Sequence, residues 1–479
     1  MESPLVVASN RGPINFERDG SELRERRGSG GLVTALSDVF LRDDITWVSS
    51  AMTDGDLEVA EDGRQISVEP GLRSRFVVVP PDRYDAYYNR VANQMLWFAH
   101  HYLWDIARSP RFDGQTESDW QAFIDVNRAF AQVLADEAGR DPVFLIQDYH
   151  LSLVPAMLRA LRPNAKIVHF THTPFAGHMY LRVLPVTIRE AILRGLAGAD
   201  VLGFQSRAWG ENYILSARGL SGIHGDLRRS RIEVEGRKVF VRPFPVAVNA
   251  RALRETALRS EIKATAGEIS RARRDRRLLL RVDRLEPSKN ILRGFLAYEL
   301  FLRRYESWRG RVKFLALLSP SRENLSEYQV YADDCLAEVK RINAELGDDE
   351  WEPIEVRVQE DYEYAVAAYG CYDVLMVNPV YDGMNLVAME GPVVNRRQGV
   401  LILSRNAGAH SRLGKHALPI NPFDLHETAE AIRAALEMPK DERARRSRGL
   451  SRSVQAHTPA SWLTDQLDAL DQVRPPTPR

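Results

Sequence analysis

Short apolar runs alternate along this chain with longer segments of helical period. The runs Leu5–Ser9, Thr46–Ser50, Phe76–Val79, Val143–Gln147, Ile167–Thr171 and Val201–Phe204 predict one series of strands. A second series is predicted at Leu278–Val282, Lys313–Leu318, Ile354–Val358, Val374–Val377, Val400–Leu403 and Leu418–Ile420. Most are continuously apolar, the pattern of strands covered on both faces of a parallel sheet. Ile354–Val358 alternates instead, which places it nearer a sheet edge. Helical segments fall between the runs, among them Ser118–Ala138, Ile188–Ala197, Ile291–Tyr305 and Ser326–Leu346. Strands alternating with helices imply right-handed βαβ units and a doubly wound α/β fold.

The two series each fill about half of the chain. Between them, Arg231–Val248 reads as a hairpin about Glu235-Gly236 followed by Pro243-Phe-Pro245. The expected organisation is therefore two Rossmann-like domains facing a central cleft. The first covers 1–247, the second 248–455, and a C-terminal helix and tail over 456–479 packs back on the first. Pro439–Leu470 is helical by pattern and rich in Arg and Ala, and the Pro-rich end beyond it is expected to fray.

Length supports this division, because 479 residues exceed what one hydrophobic core holds. Lys and Arg total 65 and so do Asp and Glu, so no overall basic field for nucleic acid exists. Two cysteines without a C-x-x-C pair, no signal-peptide pattern and no run of about 18 apolar residues together point to a cytoplasmic protein with no membrane partner.

In doubly wound sheets ligands bind beyond the carboxyl ends of the strands, so the motifs there carry the candidate chemistry. Ser9-Asn-Arg-Gly-Pro13 follows the first strand, and Gly28-Ser-Gly-Gly-Leu32 follows it at a predicted helix start. Gly30 and Gly31 permit close backbone approach to a phosphate, and Arg11 suits a bidentate phosphate clamp. Tyr87-Tyr-Asn89 through Leu96-Trp97 is an aromatic stripe that could form a sugar-stacking wall, though such a stripe by itself is more often helix packing. Gln147-Asp-Tyr-His150 and His169-Phe-Thr-His-Thr-Pro-Phe175 bring an aspartate and a histidine to adjacent strand ends. A metal pair of His169 and His172 is disfavoured, since residues three apart on a strand face opposite ways. Arg281-Val-Asp-Arg-Leu-Glu-Pro-Ser-Lys-Asn290 places Arg284 and Lys289 on a loop opening a helix, a pattern suited to a diphosphate leaving group. Asn378 through Glu390 contains a strand end, a glycine turn and a helix start. There Asp382 can accept from sugar hydroxyls and the N–H groups of Asn385, Leu386 and Val387 can meet a phosphate. Arg271–Arg277 reads as a solvated helix end.

In this order the motifs resemble those of the trehalose-6-phosphate synthases, retaining glycosyltransferases of family 20. The matching residues are Ser9-Asn-Arg11, Gly30-Gly-Leu32, Tyr87-Tyr-Asn89 with Leu96-Trp97, Asp148-Tyr-His150 and His172-Thr-Pro-Phe175. They continue with Leu202-Gly-Phe-Gln205, Arg284-Leu-Glu-Pro-Ser-Lys289, Ser319-Pro-Ser-Arg322 and Asp382-Gly-Met-Asn-Leu-Val387 with Glu390. The resemblance implies the two-Rossmann GT-B architecture and glucosyl transfer from a nucleotide-glucose to glucose 6-phosphate. It implies catalytic roles for Asp148, His172, Arg284, Lys289 and Asp382. Donor binding would fall to Gly30, Gly31, Arg284, Lys289, Asp382, Gly383, Met384, Asn385, Leu386, Val387 and Glu390. Acceptor binding would fall to Arg11, Tyr88, Trp97, Asp148 and Arg322. No metal or other cofactor is implied, the nucleotide-glucose being a co-substrate.

Met389 stands where the family often has Lys, and Val358-Gln-Glu-Asp-Tyr362 lacks the His of well-known UDP-glucose enzymes. UDP-, GDP- and ADP-glucose all stay open as donors, and so does a homo-oligomeric state. The loop Ala176-Gly-His-Met-Tyr180 also differs from the commoner Pro-rich form. Alternative readings are a glucosylglycerol-phosphate synthase, a validoxylamine-phosphate-synthase-like pseudo-glycosyltransferase and a non-catalytic sugar-phosphate sensor.

Overall fold

The computed structural model describes residues 4–19, 22–27, 45–60, 66–69, 71–137 and 141–473. Contacts divide the chain into two units, Met1–Val246 with Pro459–Arg479, and Ala247–Thr458. Among the described residues no helix is long and apolar enough to cross a membrane.

The first unit holds β1 (Leu5–Ala8), β2 (Ile14–Asp19), β3 (Glu22–Arg27), β4 (Ile45–Ser50), β5 (Ile66–Glu69), β6 (Leu72–Val77), β7 (Val143–Gln147), β8 (Lys166–Thr171), β9 (Val201–Phe204), β10 (Ile223–Asp226), β11 (Arg231–Val234) and β12 (Arg237–Pro243). Its ten-stranded sheet runs β10-β11-β12-β9-β8-β7-β1-β4-β6-β5, and β2 and β3 pair as a separate hairpin. From β12 to β6 all neighbours are parallel, and β5, β10 and β11 add antiparallel edges. Every residue of β1, β4, β7 and β9 is buried, which explains their unbroken apolar runs. The β11–β12 turn falls at Glu235-Gly236, both in left-handed backbone (φ 50° and 75°), the geometry a two-residue hairpin requires.

The second unit carries β13 (Arg277–Arg284), β14 (Val312–Ser319), β15 (Ile354–Val358), β16 (Val374–Val377), β17 (Val400–Ser404) and β18 (Leu418–Ile420). They form one parallel six-stranded sheet, β15-β14-β13-β16-β17-β18, with the alternating β15 at its edge. Helix Ile291–Arg304 buries Ile291, Phe295, Tyr298, Phe301 and Leu302 against Phe314 and its neighbours, the stripe expected of a helix lying on a sheet. Each such side chain contributes about 1.5–3 kcal/mol by leaving water.

In chain order, the second sheet reads third, second, first, fourth, fifth, sixth. The parallel part of the first, from β6 to β9, repeats that order. This is the doubly wound arrangement, in which the strand order reverses beside the first strand. The reversal lies between β1 and β7 in one unit and between β13 and β16 in the other.

Three differences from the sequence expectations have local causes. The helix expected from Ser118 begins at Gly114, because Asp113 caps it, its carboxylate accepting from the N–H of Gln115 (3.0 Å) and Thr116 (3.2 Å). The helical stretch Pro439–Leu470 is two helices, Lys440–Gln455 and Pro459–Val473, since a residue before proline is pushed out of helical backbone. The second of these helices lies in the first unit, where the buried Trp462 donates from Nε1 to the Phe244 carbonyl (3.0 Å) and meets Phe170 edge-on. β2, β3, β5 and β10 were not expected, being polar or very short edge segments.

Candidate active site

Each unit gathers predicted site residues at its own point of strand reversal. In the first unit, β1 ends at Ser9-Asn10-Arg11. Trp47 donates from Nε1 to Ser9 Oγ (2.8 Å), and Ser9 Oγ donates to the Arg11 carbonyl (2.6 Å), so buried groups fix the backbone under an exposed guanidinium. Arg11 Nη2 donates to the Tyr88 hydroxyl (3.0 Å). Tyr88 stacks between Tyr84 and His150, at 5.5 and 5.7 Å between ring centres. Tyr88 lies in an eleven-residue π-helical stretch, Ala86–Leu96, whose widened turns re-aim side chains and recur at functional sites.

β7 ends at Gln147 and passes through Asp148, held in left-handed backbone at φ 72°. Asp148 Oδ1 accepts from the His172 backbone N–H (3.0 Å), and its own N–H donates to the Phe170 carbonyl (2.7 Å), tying the ends of β7 and β8 together. His172 donates from Nε2 to Gln147 Oε1 (3.0 Å). Burial, with His169 beside it, lowers the His172 imidazole to about 3, so it is neutral at physiological pH. Burial likewise lowers His169 and His100 to about 4. Trp97 sits deeper than Tyr88, buried, stacked on His101 at 4.0 Å and tilted against Tyr149. Gly30 and Gly31 lie outside the described residues.

In the second unit, Arg281 is wholly buried on β13 and fixes the loop beyond it. Its guanidinium pairs with Asp283 (3.0 Å), donates to the carbonyls of Ile291 (3.1 Å) and Lys289 (3.3 Å), and binds Asn378 at the end of β16. Asn290, at φ 58°, donates to the carbonyls of Asn378 (3.0 Å) and Pro422 (2.7 Å). Lys289 thereby reaches Asp382 at 2.6 Å, with both side chains 13% exposed. Burial alone would lower the ammonium, but Asp382 and Glu286 hold it above its ordinary value. Asp382 Oδ2 also accepts from Asn385 Nδ2 (3.1 Å), while Asn385 Oδ1 accepts from the Ala388 N–H (3.1 Å) in the first turn of helix Val387–Val394.

Gly383 and Gly408 are pressed together. A Cβ on Gly408 would lie 1.8 Å from the Gly383 carbonyl oxygen, so only glycine lets the 382–384 loop lie on 407–409. Glu390 is half-buried and accepts from the Tyr369 hydroxyl (3.2 Å); burial pushes its carboxyl up. Met389 is buried, so the residue differing from the family pattern faces the interior.

Two carboxylates here went unassigned in the sequence reading. Glu286, fully buried, accepts from Arg284 Nη2 (3.1 Å) and Ser288 Oγ (2.7 Å). Burial would raise it, yet Arg284, Lys289, Arg322 and the Ser288 hydroxyl bring it down to about 2. Asp283 is pushed up by burial to about 6, against the pull of Arg281 and Lys289. The available signal was an acidic residue set between cations in Arg281–Lys289, which reads equally as loop solubility. Arg322, at φ 46°, donates to the Tyr328 hydroxyl and joins this second cluster, whereas Arg11 belongs to the first.

The Glycosyltransferase family 20 model matches residues 3–472. The chain is 34% identical to the trehalose-6-phosphate synthase of Mycobacterium avium, over 99% of this chain and 96% of that one. It is 30% identical to the UDP-forming alpha,alpha-trehalose-phosphate synthase of Candida albicans, over 96% of each. Among solved structures it superposes on an E. coli protein bound with UDP-2-fluoro glucose (TM-score 0.86, 26% identity, 100% of both chains covered). It also superposes on the UDP-forming Burkholderia xenovorans synthase in complex with glucose-6-phosphate (TM-score 0.83, 27% identity, 98% of this chain and 100% of that one). The chain belongs to glycosyltransferase family 20.

Proposed function

We propose that the chain transfers glucose, with retention, from UDP-glucose to glucose 6-phosphate to give trehalose 6-phosphate. The observation that carries this reading is the buried Lys289–Asp382 pair at the β13/β16 reversal, with Arg284 held beside it by Glu286. Lys289 has three donor hydrogens and Asp382 has a second oxygen. One pair can therefore face a diphosphate and a sugar hydroxyl together. Arg284 and Lys289 stabilise the charge that grows on the departing diphosphate, and Glu390 takes the ribose hydroxyls. Arg11 binds the acceptor phosphate, while Tyr88, Trp97 and Asp148 form the acceptor pocket. The names of the relatives, UDP-forming, and their complexes with a UDP-sugar analogue and glucose-6-phosphate support the choice of substrates.

In the reaction, the bond from the anomeric carbon to the phosphate oxygen breaks. The bond to the acceptor oxygen forms on the same face, and the acceptor's hydroxyl proton passes to the leaving phosphate oxygen. No protein carboxylate is needed as nucleophile, unlike retaining glycosidases. His172, kept neutral, orients the sugar without adding a charge. The protein's share is positioning and charge stabilisation, several kcal/mol per group. The test is an activity matrix of UDP-, GDP- and ADP-glucose against glucose 6-phosphate and glycerol 3-phosphate. Turnover is expected first with UDP-glucose and glucose 6-phosphate. Transfer only to glycerol 3-phosphate would reassign the acceptor, and no transfer with any pair would favour a sensor.

A further inference from the structure

The arginine cluster follows the end of helix Ser260–Ala272, as its sequence expects, and the fold sets it beside further arginines. A cavity of about 530 Å³ opens at the amino ends of β13, β14 and β17, lined by Arg273, Arg274, Arg276, Arg277, Arg311 and Arg397. Its volume is that of a metabolite site. It lies at the end of the sheet away from Arg284, Lys289 and Asp382. Arg277 opens β13 and Arg284 closes it, a separation of roughly 23 Å at the usual strand rise. The donor chemistry therefore leaves this cavity unused.

The cations here are not balanced locally. Asp373, buried beneath, pairs with Arg273 (2.8 Å), Arg277 (3.1 Å) and Arg397 (3.1 Å), and Arg443 approaches it as well. Arg276 is satisfied only by carbonyls, those of Gly310 (3.1 Å) and Glu350 (2.7 Å). Arg311 lies over the Trp308 ring, 5.0 Å from its centre, and bonds the Ser307 carbonyl. Among the described residues Asp275 is the one carboxylate on the lining itself, and Trp308 donates from Nε1 to Glu437 Oε1 (3.5 Å). Arg274 makes no side-chain hydrogen bond or ion pair among the described residues, and it occupies left-handed backbone at φ 55°. That position after a helix ordinarily belongs to glycine or asparagine, so an arginine is kept there at a conformational cost. Guanidiniums crowded around one concavity repel, and their forks match phosphate oxygens bidentately. Trp308 adds a flat apolar wall.

We propose that this cavity binds a small, multiply charged phosphorylated metabolite, at a site separate from the donor site. Concavity and size favour a small molecule over a polynucleotide, as does the absence of any net positive charge on the chain.

The test is calorimetric titration of inorganic tripolyphosphate into four proteins. These are the full chain, Lys289→Ala, the double variant Arg274→Glu with Arg311→Glu, and Arg274→Gly. Lys289→Ala is expected to keep the arginine-dependent binding step at the affinity of the full chain, whatever polyphosphate binding it loses at the donor site, because Lys289 belongs to the donor site. The double variant should bind at least about tenfold more weakly. Arg274→Gly guards against misfolding, because glycine relieves the φ 55° backbone. It should keep or raise Tm while weakening tripolyphosphate binding. Loss of binding in Lys289→Ala with retention in both arginine variants would assign the heat to the donor site and overturn the proposal. Absence of saturable binding at millimolar tripolyphosphate overturns it too. So does arginine-dependent binding of a short RNA with none of tripolyphosphate.

Discussion

The two units share a strand order and equip its reversal point in opposite ways. At β1/β7 neutral rings and hydrogen bonds surround the Arg11 guanidinium and the Asp148 carboxylate. His172 is bare of charge, Asp148 is held by a backbone N–H, and Tyr88 is clamped in an aromatic stack. At β13/β16 the groups are charged and paired, Lys289 with Asp382, Arg284 with Glu286 and Arg281 with Asp283. One topology therefore carries two kinds of electrostatics. A buried charge is costly without a partner, and the second unit holds each of these charges against a counter-charge. The first unit instead sets neutral donors and rings around the exposed Arg11.

The sharpest way to break this comparison is Lys289→Ala. Turnover should fall by about 10²–10³-fold, the scale of losing one preorganised group at a developing charge, with the fold intact by circular dichroism. Near-normal turnover would remove Lys289 from leaving-group stabilisation.

Acid should separate the units next. His100, His169 and His172 titrate near 6.5 when unfolded but near 3–4 when folded. Their depressed values favour folding above pH 6.5. That contribution is lost as pH falls toward 4, at up to about 1.4 kcal/mol per pH unit for each histidine. In the second unit Asp283 is raised from 3.8 to about 6, so protonation there favours the fold as pH drops through 6. Glu286, lowered from 4.5 to about 2, weakens the fold only below 4.5. Between pH 6 and 5, hydrogen exchange corrected for intrinsic rate should quicken in peptides of β7 and β8 and slow or hold steady in β13 and β16. Equal responses would contradict the contrast.

Arg11→Ala is expected to raise KM for the phosphorylated acceptor by about 10–30-fold with kcat nearly unchanged, as loss of a charge-assisted phosphate contact does. A fall in kcat alone would place Arg11 at the reacting centre. The smallest effect is assigned to Glu286→Gln. Loosening Arg284 should weaken donor kcat/KM by about three- to tenfold while acceptor KM stays the same. A change confined to the acceptor would detach Glu286 from the donor cluster.

The continuous apolar runs made the parallel strands legible, because a strand covered on both faces has no polar positions to interrupt it. The polar hairpin β2–β3 and the short β10 carried no such signal; their pairing is supplied by neighbouring chain. Among the site residues, Asp148, Lys289 and Asp382 could be picked out because strand-end motifs place chemistry there. Glu286 and Arg281 could not, since their meaning lies in what they touch. Arg274 does lie exposed just past a helix end, as the pattern expects; what local sequence does not show is that β14 and β17 bring Arg311 and Arg397 to the same wall.

The sequence by itself determined the alternation of strand and helix, the division into two halves and the residue types at the strand ends. Local composition and period suffice for these, because they follow from which faces must be dry. Tertiary structure alone decided the strand order, the place where that order reverses and the pairing of each buried charge. Those depend on contacts between residues about a hundred positions apart, such as Lys289 with Asp382 and Arg281 with Asn378, and only folding brings them within reach.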